Sequence, residues 1–221
     1  MLTRADRTVE NALDVLDEIA GVGRLAHVGF KDVGIEPARA AQVHRRIKEL
    51  GATSYLEVVS TSPDAVLRSA RLGRELGVDR LLGGSLAQLD DVMAILDGSS
   101  TAYLPFPGEP FGHPTQLRGT AEQVARDCRR ICERGAAGCD LLAYRAVEAD
   151  PLELVRAARA ALPGGVLLVA GGVASAAHVR ALAEAGADAF TVGSAAFDGT
   201  FAPAAGSSLR AQLEAVLDAC A

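Results

Sequence analysis

The sequence has no tryptophan, and aromatic residues make up only 4% of it. Of its 22 basic residues, just two are lysines, Lys31 and Lys48; the rest are arginines. Acids and bases are interleaved, with a formal net charge of −6 and no basic stripe. Sparse aromatics and the absence of a basic stripe argue against a nucleic-acid interface. No apolar run approaches the length of a membrane span, and the start, MLTRADRTVE, lacks the apolar centre of a signal peptide. The expectation is a cytoplasmic protein without nucleic-acid or membrane partners. Cysteine is also scarce, with Cys128, Cys132, Cys139 and Cys220 only. Cys128 and Cys132 share one helix face, but the spacing is not that of a zinc ribbon and no histidine is close by. Free thiols in a reduced compartment are expected, with no metal and no cofactor.

What is present is apolar. Hydrophobic residues make up 49% of the 221-residue chain, enough for one sizeable core and a single domain over residues 1–221. One phrase recurs: GATSYLEVVS at 51–60, GVDRLLGGS at 77–85, GAAGCDLLAYR at 135–145 and GADAFTVGS at 186–194. Each time a glycine closes a helix-like run, and a short apolar run follows. The glycine fits a left-handed helix cap. The apolar run fits a strand buried on both faces, as in a parallel sheet. RLAHVGF at 24–30, STAYLPF at 100–106 and GGVLLVA at 164–170 complete a set of seven strands. Amphipathic helices are predicted between them, near 37–50, 63–76, 86–97, 119–134, 150–162 and 175–185. Ser62-Pro63 and Asp150-Pro151 supply start signals. Repeated strand–helix units predict right-handed crossovers and a parallel sheet.

Eight strands make a (β/α)8 barrel. Ahead of a helix at about 8–20, only Met1-Leu2-Thr3 is left for a first strand, so the barrel is predicted to have a short, truncated one. A doubly wound open sheet is the alternative. The longest irregular stretch, PFPGEPFGHPTQLRG at 105–119, would follow strand five on the face where barrel active sites form, as a lid or substrate-contacting loop.

The stretch VLLVAGGVASAAHVRALAEAGADAFTVGSAAF, 166–197, pairs two strand ends with glycine turns and helix starts. Glycine amides approach an anion closely, and a helix start adds partial positive charge. This stretch resembles the ribulose-phosphate-binding (β/α)8 barrel superfamily, which includes sugar-phosphate epimerases, decarboxylases and the histidine and tryptophan biosynthesis barrels. The resemblance implies that Gly171, Gly172, Gly193 and Ser194 hold the phosphate of a small phosphorylated metabolite. By the same resemblance such barrels are often homodimers, though the sequence does not fix the assembly. The resemblance does not choose the reaction. The acid that opens the decarboxylase signature is missing before Lys31, no quartet of paired histidines and aspartates suits a metal-dependent epimerase, and strand six carries Tyr144-Arg145 where the keto-acid aldolases of related barrels carry a lysine.

Candidate catalytic residues lie at the predicted strand ends: Lys31 and Asp32 on strand two, Glu57 on strand three, His113 after strand five and Arg145 after strand six. Glu57 sits inside an apolar run, so it needs a cation, and Lys31 on the next strand is the obvious one. That pair is either an acid–base device or a structural ion pair. Lys31 can serve as general base or, if its amine is neutral, as a Schiff-base former. Arg145 can grip a carboxylate or phosphate with its planar fork. The expected function is an enzyme acting on a phosphorylated sugar-like or keto-acid-like metabolite by carbanion, enediolate or Schiff-base chemistry, as a lyase. The alternatives are an isomerase or epimerase, or a non-catalytic subunit that binds a phosphometabolite.

Overall fold

Local signals set most helix boundaries. The structure is a computed structural model that describes residues 1–220. Helix α3, Pro63–Leu76, starts after Ser62 with proline in its first turn and ends at Gly77, whose φ is 69°. Helix α6, Pro151–Ala161, is capped by the Asp150 carboxylate, which accepts from the Leu152 and Glu153 amides. Thr120 and Ser175 cap α5, Ala121–Glu133, and α7, Ala176–Ala185, in the same way. The remaining helices are α1, Ala12–Ile19, α2, Pro37–Glu49, and α4, Leu89–Leu96. A short α8, Ser194–Phe197, and a last helix α9, Leu209–Asp218, follow the final strand.

The parallel strands form two hydrogen-bonded runs. One holds β3, His27–Lys31, β4, Thr53–Val58, β5, Arg80–Gly83, and β6, Ala102–Leu104, in that order. The other holds β9, Gly138–Leu141, β10, Val166–Val169, and β11, Ala189–Phe190. Backbone hydrogen bonds join the runs into a ring. The Ala137 amide donates to the Tyr103 carbonyl and the Asp140 amide to that of Pro105, each at 3.0 Å. On the other side Met1 N donates to the Val192 carbonyl at 2.8 Å and the Leu2 amide to that of Gly29 at 2.7 Å. The segment Met1–Thr3 thus occupies the first-strand place, between β3 and β11. It makes one bond to each neighbour rather than a full ladder. The chain then turns back as an antiparallel hairpin, β1, Thr3–Arg4, and β2, Arg7–Thr8, at the barrel mouth. The Thr8 hydroxyl holds this hairpin to β3, donating to the Lys31 carbonyl and accepting from its amide, both at 2.8 Å.

So short a first strand leaves space beneath it. A cavity of about 740 Å³ opens at the amino-terminal end of the barrel, against Met1, Gly29, Leu168, Val179, Phe190 and Leu213. It shares no residue with the polar cluster at the other end. Along each strand, side chains alternate between the helices and the barrel axis. A Cβ on Gly73 of α3 would lie 3.0 Å from Leu81 and 3.6 Å from Leu56, so these two leucines face the helix. Glu57, next to Leu56, therefore faces the axis, as does its register partner Lys31.

Candidate functional site at the barrel mouth

Three predicted residues, Lys31, Glu57 and Arg145, converge at the mouth, joined by Asp6. The Lys31 Nζ donates to Glu57 Oε1 at 3.0 Å and to Asp6 Oδ1 at 2.8 Å. Asp6 comes from the hairpin turn between β1 and β2 and is 3% exposed. Arg145, in a single helical turn after β9, grips the same carboxylate through both terminal nitrogens, Nη2 reaching Oδ1 at 2.7 Å. It also donates to the Thr115 carbonyl at 2.9 Å. The Thr115 amide donates to Asp6 Oδ2 at 2.7 Å. Asp140, on β9, lies in the same charge field as Glu57, Lys31 and Arg145. It is fully buried, and neither of its oxygens has a hydrogen-bond partner.

The charges settle one another. Burial alone would push the Lys31 ammonium down, but the carboxylates of Glu57 and Asp6 outweigh it and hold its pKa above the usual lysine value. Burial would raise the Asp6 carboxyl, yet Arg145 and Lys31 hold it well below the usual carboxylate range. Asp140 has no such help. Burial, and then the Glu57 charge, push it well above the ordinary value against the weaker pull of Lys31 and Arg145. A neutral Asp140 leaves two carboxylates against two cations, and the buried cluster is balanced.

The remaining predicted residues are placed differently. Asp32 follows Lys31, so its side chain faces outward: Oδ1 accepts from the Val59 amide at 3.0 Å and Oδ2 from the Ser69 hydroxyl of α3 at 2.9 Å. His113 is exposed in the turn between β7, Glu109–Phe111, and β8, Gln116–Arg118. The long loop does reach the cluster, but through Thr115. Lys48 is an exposed partner of Asp79 at 2.7 Å, away from the mouth. Tyr144 stacks on His178 with ring centres 4.3 Å apart.

The glycine turns adjoin the cluster. A Cβ on Gly171, whose φ is 72°, would collide with the Arg145 Nε. One on Gly193 would lie 2.6 Å from the Thr3 hydroxyl. Among the described residues, the amides of Gly171, Gly172, Gly193 and Ser194 donate to no protein acceptor. The four cysteines are free, with the buried Cys128 and Cys139 sulfurs 3.8 Å apart.

Sequence reasoning missed Asp6, Thr115 and Asp140. Asp140 carried the signal that exposed Glu57, an acid inside an apolar run. Asp6 and Thr115 carried none, because each lies in a turn whose position depends on the rest of the barrel.

Solved structures share this architecture. Orotidine 5'-phosphate decarboxylase from Pyrococcus horikoshii OT3 superposes with a TM-score of 0.66 at 16% identity, covering 93% of this chain and 95% of that one. The Amycolatopsis orientalis BexX/CysO complex gives 0.59 at 19% identity, covering 96% and 88%. FabK from Thermotoga maritima gives 0.55 at 14% identity, covering 80% and 53%. No protein-family model matches the chain, and none of the curated proteins matches it in sequence. The likeness is one of fold: the chain is a (β/α)8 barrel, as the repeated strand–helix units predict.

Proposed function

We propose that this chain is an enzyme acting on a small phosphorylated carbonyl metabolite by carbanion or enediolate chemistry, as a lyase. The observation that carries the reading is the convergence of Lys31, Glu57, Asp6 and Arg145 on the strand-end face, against the turn at Gly171. The unpartnered glycine and serine amides would take the phosphate, as the resemblance implies. Arg145 would orient a second anionic group. Lys31 acts here as a charged ammonium: it stabilises oxyanion character developing on the substrate carbonyl and can return a proton to it. A Schiff base would need a neutral amine, and Glu57 and Asp6 both oppose that. Asp32 supports the end of β3 from outside, and His113 is left at the rim of the loop.

One observation favours a second reading. Lys31 is 5% exposed and already paired twice, as in a phosphometabolite-binding subunit with no chemistry of its own. Turnover separates the two. Phosphorylated aldehydes, ketones and keto acids would be screened for thermal stabilisation and then for conversion. The enzyme reading expects both, with conversion lost in Lys31→Met. Stabilisation without conversion supports the binding subunit. Full-rate conversion by Lys31→Met removes the lysine mechanism, and no stabilisation by any phosphorylated compound removes the phosphate site.

A further inference from the structure

The Asp6 carboxylate accepts from four donors. Arg145 Nη1 and Nη2, Lys31 Nζ and the Thr115 amide all point at its two oxygens, at 2.5 to 2.8 Å. A planar fork, an ammonium and a backbone amide around one carboxylate form a receptor for an external anion. Here the chain itself supplies the anion. It does so from a strained position: Ala5 and Asp6 both have left-handed backbones, with φ of 44° and 60°, and neither is glycine. The hairpin is short: Thr3 pairs with Thr8 and Arg4 with Arg7, and the Val9 amide adds one bond to the Leu2 carbonyl at its base, at 3.0 Å. Its base is fixed by Leu2 and Thr8 against β3. Its tip, residues 4–7, is otherwise tethered by exposed contacts: Arg4 pairs with Asp198 at 2.8 Å, donates to the Phe197 carbonyl at 2.7 Å and lies over the Phe197 ring, and the Ala5 amide donates to the Ser194 hydroxyl at 3.3 Å. The Ala5 tether runs to Ser194 of the predicted phosphate set, and the Arg4 contacts run to the end of the short helix that begins there. The receptor itself abuts that site, since Arg145 packs directly on Gly171.

We propose that Asp6 occupies, in the ligand-free protein, the seat of a substrate carboxylate, and that a short phosphorylated carboxylic acid displaces it and lifts the hairpin tip from the mouth. The inference rests on the phosphate reading above and narrows its substrate class. Exchange of one carboxylate for another leaves Lys31 and Arg145 paired, so no buried charge is bared. What is lost are exposed tip contacts, and the left-handed strain is released. A phosphate ester without a carboxylate would enter the glycine turns and leave Asp6 in place.

Two measurements test this with phosphoglycolate and glycerol 3-phosphate as probes. In the wild-type protein, amide hydrogen exchange is followed across residues 3–8. Exchange in the tip should rise with phosphoglycolate and not with glycerol 3-phosphate. In Asp6→Asn the intramolecular anion is gone. The preference for phosphoglycolate over glycerol 3-phosphate, read by calorimetry, should grow by about tenfold or more as the competing closed state is removed. If Asp6→Asn does not fold, the exchange measurement alone decides. A tip that stays protected with bound phosphoglycolate, or that opens equally with both probes, overturns the proposal and leaves the phosphate site standing. Binding of neither probe overturns the phosphate reading and this one with it.

Discussion

Replacing Asp140 by asparagine should change how stability depends on pH. The cluster holds three carboxyl groups, Asp6, Glu57 and Asp140, and two cations, Lys31 and Arg145. Asp140 is fully buried and receives no hydrogen bond, so the fold keeps it protonated. In the unfolded chain it ionises near pH 3.9. Above that pH the unfolded state has lost a proton that the folded state retains. Stability from this group is therefore complete below about pH 4 and falls with rising pH, by about 1.4 kcal/mol per unit, until the folded carboxyl also ionises. Between pH 5 and 7 that amounts to about 2.7 kcal/mol if the folded carboxyl stays protonated throughout. Asp6 has the opposite sign. Its depressed pKa gives stability that is present above the unfolded value near pH 3.9 and is lost as pH falls further, outside this window. Lys31, with its raised pKa, gives stability that is complete below the unfolded lysine value near 10.4 and is lost only above it. The carboxamide introduced by Asp140→Asn cannot ionise and has nearly the shape of the protonated acid. Urea denaturation of both proteins at pH 5, 6, 7 and 8 and fixed ionic strength should show Asp140→Asn gaining on the wild type at each step. A difference that stays constant with pH would mean that Asp140 is already ionised in the fold, and the charge balance described above would be wrong.

Three further outcomes follow from the same geometry. Lys31→Met leaves the Asp6 and Glu57 carboxyls buried without their shared cation and should cost roughly 3–5 kcal/mol in chemical denaturation. The double variant Lys31→Met/Glu57→Gln should recover part of that loss, and additive costs would show that the pair is not coupled. Gly171→Ala should lower the unfolding free energy by roughly 1–2 kcal/mol for the left-handed backbone alone and weaken phosphate-ester binding by moving Arg145. Unchanged calorimetric affinity would separate the turn from the ligand site. Asp32→Ala removes the acceptor of both the Val59 amide and the Ser69 hydroxyl and should cost about 1–3 kcal/mol in thermal denaturation, whereas a loss below about 0.5 kcal/mol, that of a surface substitution, would show that the brace is slack.

Much of the barrel is written locally. The recurring glycine–apolar phrase marks β4, β5, β9 and β11, and the helix starts at Ser62-Pro63 and Asp150-Pro151 fall where the structure places them. The Lys31–Glu57 contact was also legible, since a carboxylate in an apolar run needs a cation and the adjacent strand offered one. Two readings were within reach and missed. Alternation along β3 puts Asp32 on the face opposite Lys31, so the two cannot both face the axis. Ser208 and the apolar spacing after it mark α9, which the sequence reading left without an element.

The sequence by itself determined the strand–helix units, their caps and the one lysine placed for chemistry, because these depend on neighbours within a few residues. Only the tertiary structure decided what that lysine faces besides Glu57. Asp6 lies 25 positions from Lys31 and 139 from Arg145. Barrel closure through Met1 and Leu2 brings all three to one point, with Thr115 arriving from the loop after β6. Charges buried together must balance as a set, and no local pattern records which distant residues complete it. The register of closed strands fixes that set, and here it turned an acid at the start of the chain into the anion that fills the mouth of the barrel.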